Sequence, residues 1–266
     1  MSTRTSPWPA GVPCWADVTA PDLLAAKTFY AAVLGWTYAD THDDEPGGYA
    51  FAQVSGRATA GVGPLPPGGG TAAWTLYLAS PDVDATAAAV RAQRGEVLLE
   101  PSDIGPLGRM LLAADPTGAV FGVWQAGTHI GSELVNEPGA LTWEDLRSPR
   151  PDDARAFYGA VFGYRFDSLP DAGPDYSMFA LPPEEAPLGG MGGMFGAEDV
   201  PPHWLVYFAV ADAAAAVAAA EEHGGGVLVR DLNTPYGTMA GLTDPAGATF
   251  WVVEPPEGMP RPQRED

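Results

Sequence analysis

Cysteine and histidine are nearly missing from this sequence: 266 residues hold one cysteine, Cys14, and four histidines, His42, His129, His203 and His223. A single cysteine excludes any intrachain disulfide. No histidine stands at zinc-like spacing from Cys14 or from another histidine, so metal-holding capacity is thin from the outset. Positive charge is short as well. Thirteen Lys and Arg against 34 Asp and Glu give a formal charge of -21, which repels phosphate backbones and anionic bilayers within a Debye length. Nucleic acid and acidic membrane surfaces are therefore excluded as partners. No apolar run reaches the length of a membrane span and no charged-then-apolar leader opens the chain, so a cytoplasmic protein is expected. Neither glycine-rich run sits between a strand and a helix as a phosphate loop does, and there is no nucleophile elbow or Cys/His pair.

What is abundant is apolar residues, 46% of the chain, enough to bury two ordinary domain cores or one large one. The sequence also repeats. Pro13-Cys14-Trp15-Ala16-Asp17-Val18 returns as Leu141-Thr142-Trp143-Glu144-Asp145-Leu146, so that Trp15 and Trp143 lie 128 residues apart. Phe29-Tyr30 and Phe157-Tyr158 keep the same offset, while Pro21-Asp22 and Pro151-Asp152 slip by two. A frame held this well marks an internal duplication, which governs every local reading.

Within each half the pattern is itself said twice. Alternation over 12–19 predicts a strand with Trp15, Asp17 and Thr19 on one face and Cys14, Ala16 and Val18 on the other. Asp22 is placed to cap a helix whose apolar residues Leu23, Ala26, Phe29, Tyr30 and Val33 recur at helical spacing until Gly35. Short strands follow over 36–39, 49–54 and 58–65, around an acidic turn over 40–48. A second unit runs from a strand at 74–78 through an Ala-rich helix over 83–93 to strands at 96–100, 109–114 and 119–124. The second half repeats both units. Residues 1–11 read as a loose arm with Trp8 tucked onto the body, 12–126 as one domain, 127–139 as a linker, 140–255 as a second domain and 256–266 as a tail.

The order of elements, the openings Pro21-Asp22/Phe29-Tyr30/Gly35-Trp36 and Pro151-Asp152/Phe157-Tyr158/Gly163-Tyr164, and the closings Asp115-Pro116-Thr117-Gly118 and Asp244-Pro245-Ala246-Gly247 resemble the vicinal oxygen chelate superfamily. That group includes glyoxalase I, extradiol dioxygenases and bleomycin-resistance proteins, and the likeness covers about residues 12–255. It implies an α+β fold of tandem βαβββ modules, four in total and two per half, each pair curling its sheet into a cup. It also implies a metal held by His or Gln on the first strand of a module and Glu or His on the last. Carried onto this chain, the first-strand positions are Trp15, Trp74, Trp143 and Trp204; the last-strand positions are Gly122 and Trp251, and the stretches 59–62 and 189–194 contain no Glu or His. Indole offers no in-plane lone pair and glycine only its backbone, so the chain departs from the family's ligand pattern. No metal and no cofactor is expected.

The candidate site residues are then the four indoles of Trp15, Trp74, Trp143 and Trp204, together with Trp251, as an aromatic floor that either stacks on a ligand or fills the cups as core. Asp17 and Asp145 share a strand face with Trp15 and Trp143, where a carboxylate must meet a cation, a donor network or a ligand. Arg109 is the expected partner of Asp17, and Tyr49 and Tyr176 are expected to line the cups, while Tyr77 and Tyr207 are assigned to the helix side and Glu144 to an exposed edge. His203, beside Trp204, enters a cup only if the register slips by one residue. The 189–196 segment, with Met191 and Met194, reads as an adaptable rim or a glycine-bent edge strand. The expected function is binding of an aromatic or amphipathic small molecule by a metal-free monomer or homodimer. The alternatives are an enzyme of the glyoxalase or dioxygenase type (a lyase, ring-cleaving or hydroxylase-like), a metal-independent acid/base catalyst using Asp17 or Asp145, or a scaffold with filled cups.

Overall fold

The computed structural model describes residues 2–40, 48–66, 68–173, 175–184, 186–196 and 199–256; most of the acidic turn, with His42, and the tail lie outside the described residues. After β1 (Ser2–Thr3), the first module comprises β2 (Pro13–Ala20), α1 (Leu23–Leu34), β3 (Thr37–Asp40), β4 (Ala50–Val54) and β5 (Arg57–Pro64). The second comprises β6 (Ala73–Ala79), α2 (Val83–Ala92), β7 (Glu96–Asp103), β8 (Gly108–Ala114) and β9 (Val120–Ala126). Past the short β10 (Leu134–Val135), the third module is β11 (Leu141–Arg147), α3 (Pro151–Phe162), β12 (Arg165–Ser168), β13 (Ser177–Ala180) and β14 (Gly189–Gly192). The fourth is β15 (His203–Ala209), α4 (Ala213–Glu222), β16 (Gly226–Thr234), β17 (Gly237–Thr243) and β18 (Thr249–Glu254). The fold is the expected α+β arrangement of repeated βαβββ modules.

Local chemistry sets the helix ends. Asp22, Asp82 and Asp212 cap α1, α2 and α4, each accepting the N–H three residues on. Helix α3 begins instead on Pro151, whose missing N–H costs nothing at that position, with Asp152 and Asp153 in the first turn. Gly35 and Gly163 close α1 and α3 at φ 72° and 79°, where a side chain would be strained.

The strands form two eight-stranded sheets, ordered β3-β4-β5-β2-β6-β9-β8-β7 and β12-β13-β14-β11-β15-β18-β17-β16. In each, the first strands of two modules run antiparallel at the centre, and the last strand of a module runs parallel beside its first. The expected glycine-bent edge is not one: β14 lies between β13 and β11 and is buried.

The helix faces of the two sheets share one core. Phe29 meets Phe250, Trp74 meets Phe208, and Phe121 meets Phe157 and Tyr158, all across the halves. Polar bonds run through the same seam. Trp74 donates to the Tyr30 hydroxyl at 3.1 Å, and Tyr30 donates to Asp244 Oδ2 at 3.1 Å. Reciprocally, Trp204 donates to the Tyr158 hydroxyl at 2.9 Å, and Tyr158, buried beside Asp115, has its pKa raised well above the usual phenol range, by burial first and by that carboxylate next. The Phe-Tyr pair of one half thus reads the Asp-Pro-x-Gly turn of the other.

The N-terminal arm and the segment between the halves are both packed against the body. Residues 2–3 pair with β10, and Trp8 is buried with its indole N–H on the Ser132 carbonyl at 3.1 Å. Within 127–139, the N–H groups of Gly127, Thr128, His129, Ser132 and Glu133 all bond to backbone carbonyls of the first half. Glu144 is 0% exposed, not at an edge: β11 is central, and residue 144 shares its inner face with Leu146.

Candidate functional site

Two related side-chain clusters stand on the sheet faces turned away from the helices. In the first half, Trp15 and Asp17 alternate on β2 with Ala16 and Val18, which enter the core. The Tyr49 hydroxyl donates to Asp17 Oδ2 at 3.0 Å and itself accepts from Trp15 Nε1 at 2.8 Å. Tyr77 pairs across the strands with Trp15 and bonds Asp17 as well. Gly61, the parallel partner of Asp17 on β5, makes this possible, because a Cβ there would lie 1.9 Å from the Tyr49 hydroxyl.

The second half repeats the network and adds a cation. Asp145 Oδ1 accepts from Trp143 Nε1 at 3.0 Å and the Tyr176 hydroxyl at 2.7 Å; Oδ2 accepts from the Tyr207 hydroxyl and from Arg147 Nη2, both at 2.8 Å. Gly190, beside Asp145, leaves the space for the Tyr176 hydroxyl, which a Cβ would approach to 1.9 Å. Trp251 stacks on Tyr207 at 5.6 Å and 30°.

Electrostatics separate the two clusters. Asp17 is 7% exposed, and burial pushes its pKa up to about 7 even though two phenols donate to it; at Thr19, two residues on, there is no cation. At the equivalent place in β11 stands Arg147. Burial opposes the charge of Arg147, but Asp145 and Tyr207 hold its pKa above the ordinary value. The phenols of Tyr49, Tyr77, Tyr176 and Tyr207 all have raised pKa values, through burial first and their carboxylate next.

The covers differ too. His129, carried in from the segment between the halves, packs edge-on against Trp15 at 4.5 Å and against Phe51 at 4.7 Å. Its Nε2 is buried without a hydrogen-bond partner among the described residues, and burial lowers its pKa to about 4. Trp15 is buried beneath it, whereas Trp143 and Trp251 in the second half remain partly exposed. The first cluster is closed by an imidazole; the second is more open.

Several expected placements change. Trp74 and Trp204 face the helices, bonded to Tyr30 and Tyr158, and Tyr77 and Tyr207 take the cup face. The cause is a one-residue slip in matching the modules: Asp22 and Asp82 are 60 residues apart, Trp15 and Trp74 only 59, and one residue reverses the face. The helix-capping aspartates carried the correct frame, and with it the signal that Asp17 corresponds to Tyr77. The same slip brings His203 onto the cup face opposite Arg147, with its Nδ1 on the Pro201 carbonyl at 2.7 Å. Arg109 is not the partner of Asp17. It sits on β8, three strands from β2, paired with Asp84 at 2.6 Å and Asp103 at 2.7 Å on the surface.

The donor set does not fit the superfamily's metal. Each cluster offers one carboxylate already engaged by hydroxyl or indole donors, and among the described residues no three His, Cys, Asp or Glu side chains converge as a cation site requires. Cavities of about 190 Å³, by Trp8 and Trp124, and about 280 Å³, between α1 and α4, are lined by none of the tryptophans, tyrosines and aspartates of the two clusters.

Comparison with known proteins agrees with this architecture. The chain is 42% identical over 263 residues to a putative glyoxylase, CFP32, of Mycobacterium tuberculosis, covering 95% of this chain and 98% of that one. It is 37% identical over 272 residues to the anthracycline biosynthesis protein DnrV of Streptomyces peucetius, covering 97% of each. Among solved structures it superposes on a Mn(II)-bound glyoxalase from Novosphingobium aromaticivorans with TM-score 0.66 and 18% identity, over 92% of this chain and 82% of that one. It also superposes on the 2,3-dioxygenase LapB of Pseudomonas sp. KL28 with TM-score 0.63 and 15% identity, over 96% of each. The family model described as Glyoxalase/Bleomycin resistance protein/Dioxygenase superfamily matches residues 15–123 and 140–252, and the chain belongs to that superfamily.

Proposed function

We propose that the protein binds a flat aromatic organic compound, without a resident metal, in the second-half cluster. One observation carries this reading: the single carboxylate of each cluster is held by phenol and indole groups where the superfamily's metal would need free donors, while the surrounding surface is aromatic. Trp143 and Trp251, partly exposed around the Asp145 network, are the aromatic surface on which a ligand would stack. The likeness to DnrV supports a fused-ring compound as the ligand class. The closed first cluster serves as core in this reading. No helix among the described residues is long and apolar enough to cross a membrane, and the strongly negative charge disfavours anionic ligands.

Titration of chelator-treated protein with 1-hydroxyanthraquinone tests the reading through tryptophan fluorescence. Saturable quenching whose affinity falls about tenfold in Trp251→Leu, as loss of one stacked ring surface predicts, supports it. Absence of quenching, or quenching that requires one equivalent of added Mn, Fe, Ni or Zn, overturns it.

A second reading is favoured by the Asp17 carboxyl, whose raised pKa places it where it can exchange a proton near neutrality. In that reading the first cluster is a metal-independent acid/base site entered by displacement of His129. Turnover of any substrate by wild type but not by Asp17→Asn, with unchanged ligand affinity, distinguishes it.

A further inference from the structure

We propose that the Phe195 ring is a placeholder, occupying a subsite built for an uncharged, electron-rich aromatic ring, a phenol or fused polyphenol, on the planar face of Arg147. The proposal rests on the second-half binding reading and names the chemistry of that ligand. Four observations meet at this place. The Arg147 guanidinium lies 4.6 Å from the Phe195 ring centroid and 5.8 Å from that of Tyr176, so it is faced by two rings. Glycines shape the slot: a Cβ at Gly173 would come within 2.4 Å of the Phe195 ring, and one at Gly192 within 2.7 Å. Phe195 itself sits at φ 47°, a backbone region that bulky residues rarely adopt. Its side chain is not core, since the residue is 47% exposed.

A strained, half-exposed phenylalanine resting on a mostly buried cation is held by its ring contact more than by its backbone. A ligand ring that makes the same contact releases that strain and returns Phe195 to solvent. Arg147 meets Asp145 through Nη2, so the pair is close to neutral and draws no net anion. The attraction left is between the guanidinium face and a π-cloud, which strengthens with electron-rich rings and weakens with electron-poor ones. The carboxylate network of Asp145, Tyr176 and Tyr207 lies alongside, so a ring hydroxyl arrives next to hydrogen-bonding partners.

Calorimetric titration with 2-naphthol, 1-nitronaphthalene and cyclohexanol tests this. Phe195→Ala removes the placeholder, and 2-naphthol is expected to bind it roughly tenfold tighter than wild type, with little gain for the other two probes. Adding Arg147→Lys keeps a cation beside Asp145 but removes the planar face, and the gain should disappear. Equal affinity of wild type and Phe195→Ala for 2-naphthol overturns the placeholder. A gain that survives Arg147→Lys, or that cyclohexanol shares, overturns the guanidinium subsite and leaves a mere void. In either case hydroxyanthraquinone quenching that depends on Trp251 still stands, so the two readings fail separately.

Discussion

At the scale of single residues, Asp17 and Asp145 show how one substitution two positions along a strand changes a carboxyl group. Both accept phenol hydrogen bonds on the same sheet face, but Arg147 faces Asp145 and Thr19 follows Asp17. Asp17 therefore meets burial with no cation beside it among the described residues, and its folded pKa rises from 3.8 to about 7. The folded state then holds a proton that the unfolded chain releases, so this group costs nothing below pH 4. It costs progressively more as pH climbs toward 7, and its full penalty, on the order of a few kcal/mol, applies above that. His129, lowered to about 4, has the opposite slope between pH 4 and 6.5, losing stability as the pH falls. Asp17→Asn isolates the first effect: thermal melts should show the variant gaining on wild type between pH 5 and 8, and parallel curves would contradict the neutral-acid assignment. The hydroxyls of Tyr77 and Tyr207, and Arg147, were not legible from residue type alone, whereas Tyr49 and Tyr176 stand in the clusters where their matching places in the two halves put them. A phenol reads as core or site according to face, and face depends on a register that a single misplaced tryptophan reverses.

At the scale of elements, the clusters depend on strands that yield space. β5 and β14 bring Gly61 and Gly190 beside the two aspartates, where the superfamily's pattern calls for a side-chain donor, and the tyrosine hydroxyl fills the gap. Gly190→Ala puts a methyl 1.9 Å from the Tyr176 hydroxyl and 2.4 Å from Asp145 Oδ1. It should expel the tyrosine and destabilise the fold by about 1–3 kcal/mol, read as a lower urea midpoint and loss of Trp143 fluorescence sensitivity to the anthraquinone probe. The helices and strands themselves were largely readable, because Asp caps, Gly stops and apolar periodicity are local signals. β14 was misjudged as an edge because glycine weakens strand propensity, and only its neighbours reveal why it is tolerated in the sheet interior.

At the scale of the whole molecule, duplication has been turned into mutual dependence. Tyr30 of the first half bonds Asp244 of the second, and Tyr158 faces Asp115 in return. The segment over 127–139, which sequence composition marks as a linker, is bonded to the first half over 127–133 and to the second through Asn136 and Gly139, and it contributes His129 to the first cluster. One cooperative calorimetric unfolding transition is expected, since a core shared by both halves cannot melt by halves. Tyr30→Phe strands both the Trp74 N–H and an Asp244 oxygen, and should lower stability by about 1–3 kcal/mol without separating that transition into two.

The sequence by itself determined the four modules and their order, because caps, turns and periodicity are properties of neighbours along the chain. Which aromatic ring faces a cup, which cation meets which carboxylate, and which loop covers each cluster were decided only by tertiary structure. Those depend on strand register and on the packing of one half against the other, where a shift of one residue exchanges core for site.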